Sequence, residues 1–119
     1  MLNSRFVFAF RGITLDVIIL VRYYLDMIKT FADKETKKIF NRRISRKLPQ
    51  NIQIKGRMKL EILDAVNFLD DLRIPPGNRL EQLSGDRKGQ YSIRINQQWR
   101  ICFRWQNRDV YDVEIVDYR

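Results

Sequence analysis

Residues 78–105 have the sequence NRLEQLSGDRKGQYSIRINQQWRICFRW, and this stretch decides the fold. Apolar and polar residues alternate over 91–95 and again over 99–105, with the polar Asn96-Gln97-Gln98 between the two runs. Alternation with a period of two is typical of a half-buried strand, and two such runs around a short polar turn predict an antiparallel hairpin.

The register of this hairpin follows from the requirement that the two apolar faces coincide. A slip of one residue would turn every side chain of a strand to the other face. We therefore predict that Ile93 lies opposite Ile101. The same register places Arg94 directly across from Arg100.

Like charges that face each other across a sheet are destabilising, so this arginine pair needs an explanation. The guanidinium fork suits phosphate because its planar donors can bind two oxygens at once. One interpretation is an anion site, and the alternative is two solvated arginines that repel weakly through water. A last strand over 110–116 should pair Arg104 with Asp112 as an ion pair. The strand would also carry Tyr118 to the outer face, beside the two arginines.

The composition limits the possible chemistry. A chain of 119 residues predicts one domain, and the net charge of +9 favours nucleic acid or another polyanion as a partner. The absence of histidine excludes a histidine-dependent ribonuclease, a triad with a histidine base and an imidazole zinc site. Cys102 is the only cysteine, which excludes an internal disulfide and fits a reducing cytosol.

The chain before the hairpin predicts one strand and two helices. Residues 27–32 fit a first strand, and Asp33 can cap a short helix. The longest helix is expected over 51–72, and its apolar stripe should pack on the sheet: Met58, Ile62, Ala65, Leu69 and Leu72.

Between these two helices lies a basic cluster over 41–47, which includes Arg42 and Arg43. It is either an RNA-facing patch or a solvated connector.

Residues 1–26 do not share the sequence pattern of the remaining chain. Arg11, Asp16 and Arg22 interrupt the apolar runs, so the uninterrupted span of a membrane helix is missing, and no small-residue cleavage site follows as in a signal peptide. The alternatives are an extra amphipathic element and an over-extended translation start. We favour the second, with Met27 as the true beginning.

The blocks PPGNRLE, GDRKGQYSIRIN and QWRICF occur together and in order over 75–105, and the chain then reaches VEIVDY at 113–118. In these blocks the sequence resembles HigB-type toxins of the RelE/ParE superfamily of toxin–antitoxin systems, over about 27–118. The resemblance implies an α+β fold in which one strand and two helices precede a twisted antiparallel β-sheet. It also implies a toxin domain over 27–119, with residues 1–26 as an extension.

The resemblance further implies a ribosome-dependent endoribonuclease that cuts mRNA in the ribosomal A site. In such toxins the ribose 2′-hydroxyl attacks the adjacent phosphate, with no metal or other cofactor. The implied partners are the ribosome, mRNA and a helix-turn-helix antitoxin of the HigA type, and operator DNA is bound only through the antitoxin complex. A cytoplasmic location without membrane association is expected.

Site residues follow from the resemblance together with the arginine pair and the basic cluster described above. The expected catalytic group is Arg94, Arg100, Tyr118 and Arg119, and the expected RNA contacts are Arg79, Arg87, Lys88, Arg42 and Arg43. Family members commonly end in Asp-Tyr-His, whereas this chain ends in Asp-Tyr-Arg. Arginine can stabilise charge but serves poorly as a general acid, so Tyr118 would take the proton role.

Two other functions remain open at this point. One is a ParE-like inhibitor that binds a protein target such as DNA gyrase without cutting RNA. The other is a catalytically weakened member that is retained for its antitoxin complex. A nuclease requires the arginine pair and Tyr118 on one open face, and a gyrase inhibitor does not.

Overall fold

The computed structural model describes residues 27–118, in which two helices precede a four-stranded antiparallel sheet. The helices are α1 (Lys34–Phe40) and α2 (Gln50–Leu63), and the strands are β1 (Glu81–Gln82), β2 (Tyr91–Arg94), β3 (Trp99–Gln106) and β4 (Asp109–Asp117). Short 3-10 helices cover Leu69–Arg73, Pro76–Asn78 and Gly85–Arg87. The strands follow the order β1-β2-β3-β4. The predicted α+β fold is confirmed.

The central hairpin has the predicted register. Ile93 pairs with Ile101, and Arg94 pairs with Arg100. Ile93, Ile101 and Phe103 have no exposed surface, because α1 and α2 cover this face of the sheet. The alternation of apolar residues was therefore sufficient to fix the pairing of β2 with β3.

Beyond Cys102, the pairing of β3 with β4 differs from the prediction by one residue. A bulge between Cys102 and Arg104 places Arg104 opposite Tyr111 instead of Asp112. Asp112 takes a left-handed conformation with φ of 54°, and its backbone N–H donates to the Thr30 hydroxyl at 2.8 Å. The predicted ion pair still forms, with 3.2 Å between Arg104 Nε and Asp112 Oδ2.

The predicted first strand is reduced to two isolated bridges. Ile28 and Phe31 run parallel to β4 and pair with Val110 and Val113. Backbone hydrogen bonds support each bridge, including 2.7 Å from Lys29 N–H to the Val110 carbonyl. The bulge at Asp112 lies between the two bridges, which explains why no continuous strand forms.

The prediction for the longest helix was wrong in length and partly wrong in its buried face, although Leu72 is buried and Ile62 and Leu69 pack against the core. Helix α2 ends at Leu63, and the Asp64 carboxylate accepts hydrogen bonds from the backbone N–H groups of Met27 and Ile28 at 3.0 and 2.9 Å. The buried face consists of Ile52, Gly56, Leu60 and Leu63, whereas Met58 is 54% exposed. The helix has apolar residues on two faces. The buried face was not recognised in the sequence because Gly56, which belongs to it, has no apolar side chain.

Residues 1–26 and Arg119 lie outside the described residues, and so do the predictions made for them. Over 27–118, no helix has the length and apolar character needed to cross a membrane.

Candidate functional site

Arg100 lies on the sheet face opposite the helices, and this face is not open as the sequence predicted. Only 6% of Arg100 is exposed. Its Nε donates to the Ser92 hydroxyl at 2.7 Å, and its Nη2 donates to the backbone carbonyls of Arg79 and Ser92. The expectation of a solvated arginine is therefore wrong, because the chain around Arg79 folds back over the guanidinium.

Arg94 has separate hydrogen-bond partners, which explains how two facing arginines are tolerated. Its side chain is half-buried, and Nε donates to the Asn96 carbonyl at 3.0 Å. Arg100 is directed to Ser92 and Arg79, on the side of β1. Because each guanidinium has its own oxygen acceptors, the like-charge repulsion across the pair is reduced.

Glu81 adds a carboxylate to this site that the sequence did not indicate. It pairs with Ser92 between β1 and β2, and its Oε1 is 3.7 Å from Arg100 Nη1. The Glu81 side chain is 50% exposed, whereas the Arg100 side chain is 8% exposed. This half-exposed carboxylate therefore lies at the solvent edge of a buried cation.

Tyr118 lies on the same cation, as predicted from strand alternation. The Arg100 Cζ atom is 5.6 Å from the centroid of the Tyr118 ring, within cation–π range. The Tyr118 backbone N–H donates to the Gln98 carbonyl at 2.7 Å, which fixes the end of β4 near the turn of the hairpin. Tyr118 is 43% exposed, so its phenol can reach a bound molecule.

The remaining predicted RNA contacts divide into two groups. Arg79 lies just before β1 and contacts Arg100 through its backbone carbonyl, and Arg87 and Lys88 lie between β1 and β2. Arg79 and Lys88 are exposed, whereas Arg87 pairs with Glu114 at 3.3 Å. We call these three residues the rim.

Arg42 and Arg43 are not brought to that face. They follow α1, and Arg42 Nη2 lies 3.1 Å from Glu61 on α2. Helix α2 packs on the apolar face of the sheet, opposite Arg100. The basic cluster therefore lies in the helical layer.

Asn78 braces the loop that supplies the Arg79 carbonyl. It is fully buried, and its Nδ2 donates to the carbonyls of Leu72 and Ile74 at 3.1 and 3.3 Å. Its Oδ1 accepts a hydrogen bond from Lys59 Nζ. Burial, together with nearby Lys55, lowers the pKa of Lys59. Asn78 was missed at the sequence level because its role depends on contacts with α2 and with the 3-10 helix before it.

Cys102 lies on the same side of the sheet as Arg100, and its environment makes the thiol unreactive. It is fully buried next to Ser92 in the sheet, and burial raises the pKa of its thiol above the ordinary value of 9.0. A buried thiol that stays protonated at neutral pH is a poor nucleophile. Among residues 27–118, no three His, Cys, Asp or Glu side chains are grouped closely enough to hold a metal ion.

Sequence comparison identifies the family. A family model described as "RelE-like toxin of type II toxin-antitoxin system HigB" matches residues 29–119. The chain belongs to this family.

Individual relatives carry the same family name. The chain is 53% identical over 60 residues to "Toxin HigB-1" of Vibrio cholerae, a match that covers 50% of this chain and 63% of that protein. It is 30% identical over 92 residues to "Endoribonuclease HigB" of Proteus vulgaris, covering 77% of this chain and 99% of that protein.

A solved structure, the YoeB-YefM complex from Staphylococcus aureus, aligns with a TM-score of 0.46 at 16% identity. The alignment covers 77% of this chain and 97% of that one.

Proposed function

We propose that this chain is an mRNA endoribonuclease that acts on the ribosome, with Arg100, Glu81 and Tyr118 as its catalytic group. The supporting observation is that a buried, fully oriented guanidinium lies between a half-exposed carboxylate at 3.7 Å and a half-exposed phenol ring at 5.6 Å. The name of the Proteus relative supports RNA as the substrate. The net charge of +9 favours the same class of substrate.

Each group has a role that its chemistry allows. Glu81 accepts the proton of the ribose 2′-hydroxyl, and the resulting oxygen attacks the adjacent phosphorus. Arg100 stabilises the negative charge of the phosphorane, and it needs no reorganisation because Ser92 and Arg79 already hold it. Tyr118 donates its phenolic proton to the departing 5′-oxygen. The products are a 2′,3′-cyclic phosphate and a 5′-hydroxyl, and no step requires a metal.

The peripheral cations take supporting roles in this proposal. Arg94 adds positive charge next to Arg100 across the hairpin. Arg79 and Lys88 are exposed on the rim, where they can bind the RNA backbone, and Arg87 can do so by leaving Glu114. Arg119, the terminal residue, would contribute charge only. Arg42 and Arg43 are assigned instead to the ribosome surface, because their face of the molecule is opposite the reacting groups.

The proposed partners follow from the family. They are the ribosome and its mRNA, and an antitoxin of the HigA type with a helix-turn-helix fold. Operator DNA would be bound only through the complex with the antitoxin. These partners require a cytoplasmic site of action.

A second candidate, binding without cleavage, is favoured by the burial of Arg100. Its Nε and Nη2 are already occupied by protein oxygens, so Nη1, the nitrogen nearest Glu81, is the main donor left for a phosphate. In this alternative Arg100 supports the fold, and the chain inhibits its target by occupying it.

Mapping of RNA ends in cells separates the two candidates. The chain is expressed from an inducible promoter, and primer extension is run on a translated message and on the same message with its start codon removed. The nuclease proposal predicts new ends only in the translated message. Growth arrest without new ends would favour the second candidate, and altered plasmid supercoiling under the same induction would indicate a gyrase-type target.

A further inference from the structure

A groove adjoins the Arg100 site on the β1 side. Its volume is about 380 Å³, and it is lined by Arg73, Pro76, Arg79, Leu80 and Glu81. Two of these residues also contact Arg100, through the Arg79 carbonyl and the Glu81 carboxylate. A molecule bound over Arg100 would therefore extend into this groove without a break.

The lining combines the two features that a nucleotide requires. Pro76 and Leu80 supply apolar surface for a base, and Arg73 and Arg79 supply cations for a phosphate. Within residues 27–118, Arg79 has no ion-pair partner, and Arg73 contacts Asp70 through Nε alone at 3.1 Å. The terminal nitrogens of both guanidinium groups thus remain available to a ligand among the described residues.

The groove borders the segment that Asn78 braces. Asn78 donates to the carbonyls of Leu72 and Ile74, which anchors the C-terminal end of the short helix that carries Pro76. Because the site is preformed, little ordering is needed when a ligand binds. The volume is at the small end of the range for ligand sites, about 300–1,000 Å³, which suits one nucleotide.

We propose that this groove binds the nucleotide that flanks the scissile phosphate, with its base on Pro76 and Leu80 and its phosphate on Arg73 and Arg79. The proposal rests on the function proposed above, because it takes RNA as the substrate. It assigns Arg73 as a substrate-positioning residue outside the reacting group. Nothing in the sequence pattern indicated Arg73, which lies six residues before Arg79 in a separate 3-10 helix.

The test uses binding of uncleavable RNA to the purified chain. The probes are a trinucleotide with 2′-O-methyl groups, which block the attacking hydroxyl, and two versions of it that each lack one outer base. Dissociation constants are measured for the wild-type chain, Arg73→Gln and the matched control Arg46→Gln. Arg46 is also exposed, but it lies in the connector between α1 and α2. Melting curves confirm that both variants are folded.

We expect affinity to depend on Arg73 and on one of the two outer bases of the trinucleotide. Arg73→Gln should weaken binding of the intact trinucleotide by about five- to tenfold, in line with the strength of an arginine–phosphate contact. Removal of one particular outer base should weaken wild-type binding by about fivefold or more. Arg46→Gln should change neither value. Inorganic phosphate is included as a competitor to distinguish a nucleotide site from a simple anion site.

Each contrary outcome has its own meaning. Equal affinities of Arg73→Gln and wild type, in a chain that binds and cuts RNA, would overturn the groove proposal alone. If removal of either outer base leaves the dissociation constant unchanged and inorganic phosphate competes fully, nucleotide binding is overturned in favour of an anion site. A wild-type chain that binds none of the trinucleotides would overturn the groove proposal alone, because the proposed nuclease acts on mRNA held by the ribosome. Binding that depends on Arg73 without any cleavage would support the groove and contradict the nuclease.

Discussion

The substitution Glu81→Gln separates catalysis from folding more cleanly than a change at Arg100. It keeps the size and shape of the side chain and removes only the ability to accept a proton. Arg100→Ala is a poorer test, because it leaves the buried Ser92 hydroxyl and the Arg79 carbonyl without their donor. A loss of activity in that variant could then follow from a damaged fold.

The structure indicates a small effect of Glu81→Gln on stability. The Oε1–Nη1 distance of 3.7 Å is long for an ion pair, and the Glu81 side chain is 50% exposed. A pair of this kind contributes about 0.2–1 kcal/mol, since water screens the charges. Arg100 keeps its bonds to Ser92 and Arg79 in the variant. The melting temperature should therefore fall by no more than about 5 °C.

The expected effect of this substitution on cleavage is much larger. Loss of a positioned general base reduces the rate by about 10²–10⁴-fold. Initial cleavage rates are measured by primer extension in a reconstituted translation reaction, beside thermal unfolding of the same samples. Glu61→Gln is the matched control, because it also removes a partly exposed carboxylate paired with an arginine, but in the helical layer. Cleavage by Glu81→Gln within threefold of wild type would refute the role of Glu81.

Three further predictions concern other parts of the structure. Tyr118→Phe keeps the ring on the guanidinium but removes the proton donor, so melting should be unchanged while the cleavage rate falls about 100-fold; an unchanged rate would assign the proton to another group. Gly56→Ala should raise the free energy of unfolding by about 0.5–1 kcal/mol in urea titrations. The reason is that the added methyl would meet Ile95 and Ile115 at the ordinary contact distances of 3.5 and 3.6 Å. A loss of stability would show that α2 packs more tightly against the sheet. The hydrogen bond from the Ser45 hydroxyl holds the pKa of Glu35 below its ordinary value of 4.5. The difference in the free energy of unfolding between wild type and Glu35→Gln should therefore be constant above that pH and should shrink as the pH falls through the lowered pKa. A difference that stays constant down to acid pH would contradict this origin of the stability.

The sequence was sufficient for the parts of the fold that depend on local alternation. Ile93 and Ile101 fixed the β2–β3 register, and this register alone brought Arg94 opposite Arg100. The Arg104–Asp112 ion pair was predicted from the same counting and survives a bulge that shifts the pairing by one residue. In these cases the determining contacts are between neighbouring strands.

The parts that the sequence did not predict depend on contacts between distant segments. Strand β1 is two residues long, too short to produce a pattern, so Glu81 could not be placed beside Arg100. The burial of Arg100 follows from the return of the chain at Arg79, which Asn78 anchors from within the fold. Gly56 carries no apolar signal, although it belongs to the buried face of α2 that packs against Ile95 and Ile115 of the sheet.

We propose that the Arg100 site cuts RNA by attack of the 2′-hydroxyl. The most direct measurement combines the purified chain with translating ribosomes and a defined message, followed by chemical analysis of the new ends. We expect cuts confined to the translated region, with 2′,3′-cyclic phosphate on the upstream fragments and 5′-hydroxyl on the downstream ones. An intact message, or fragments with 5′-phosphate ends, would refute cleavage by the 2′-hydroxyl.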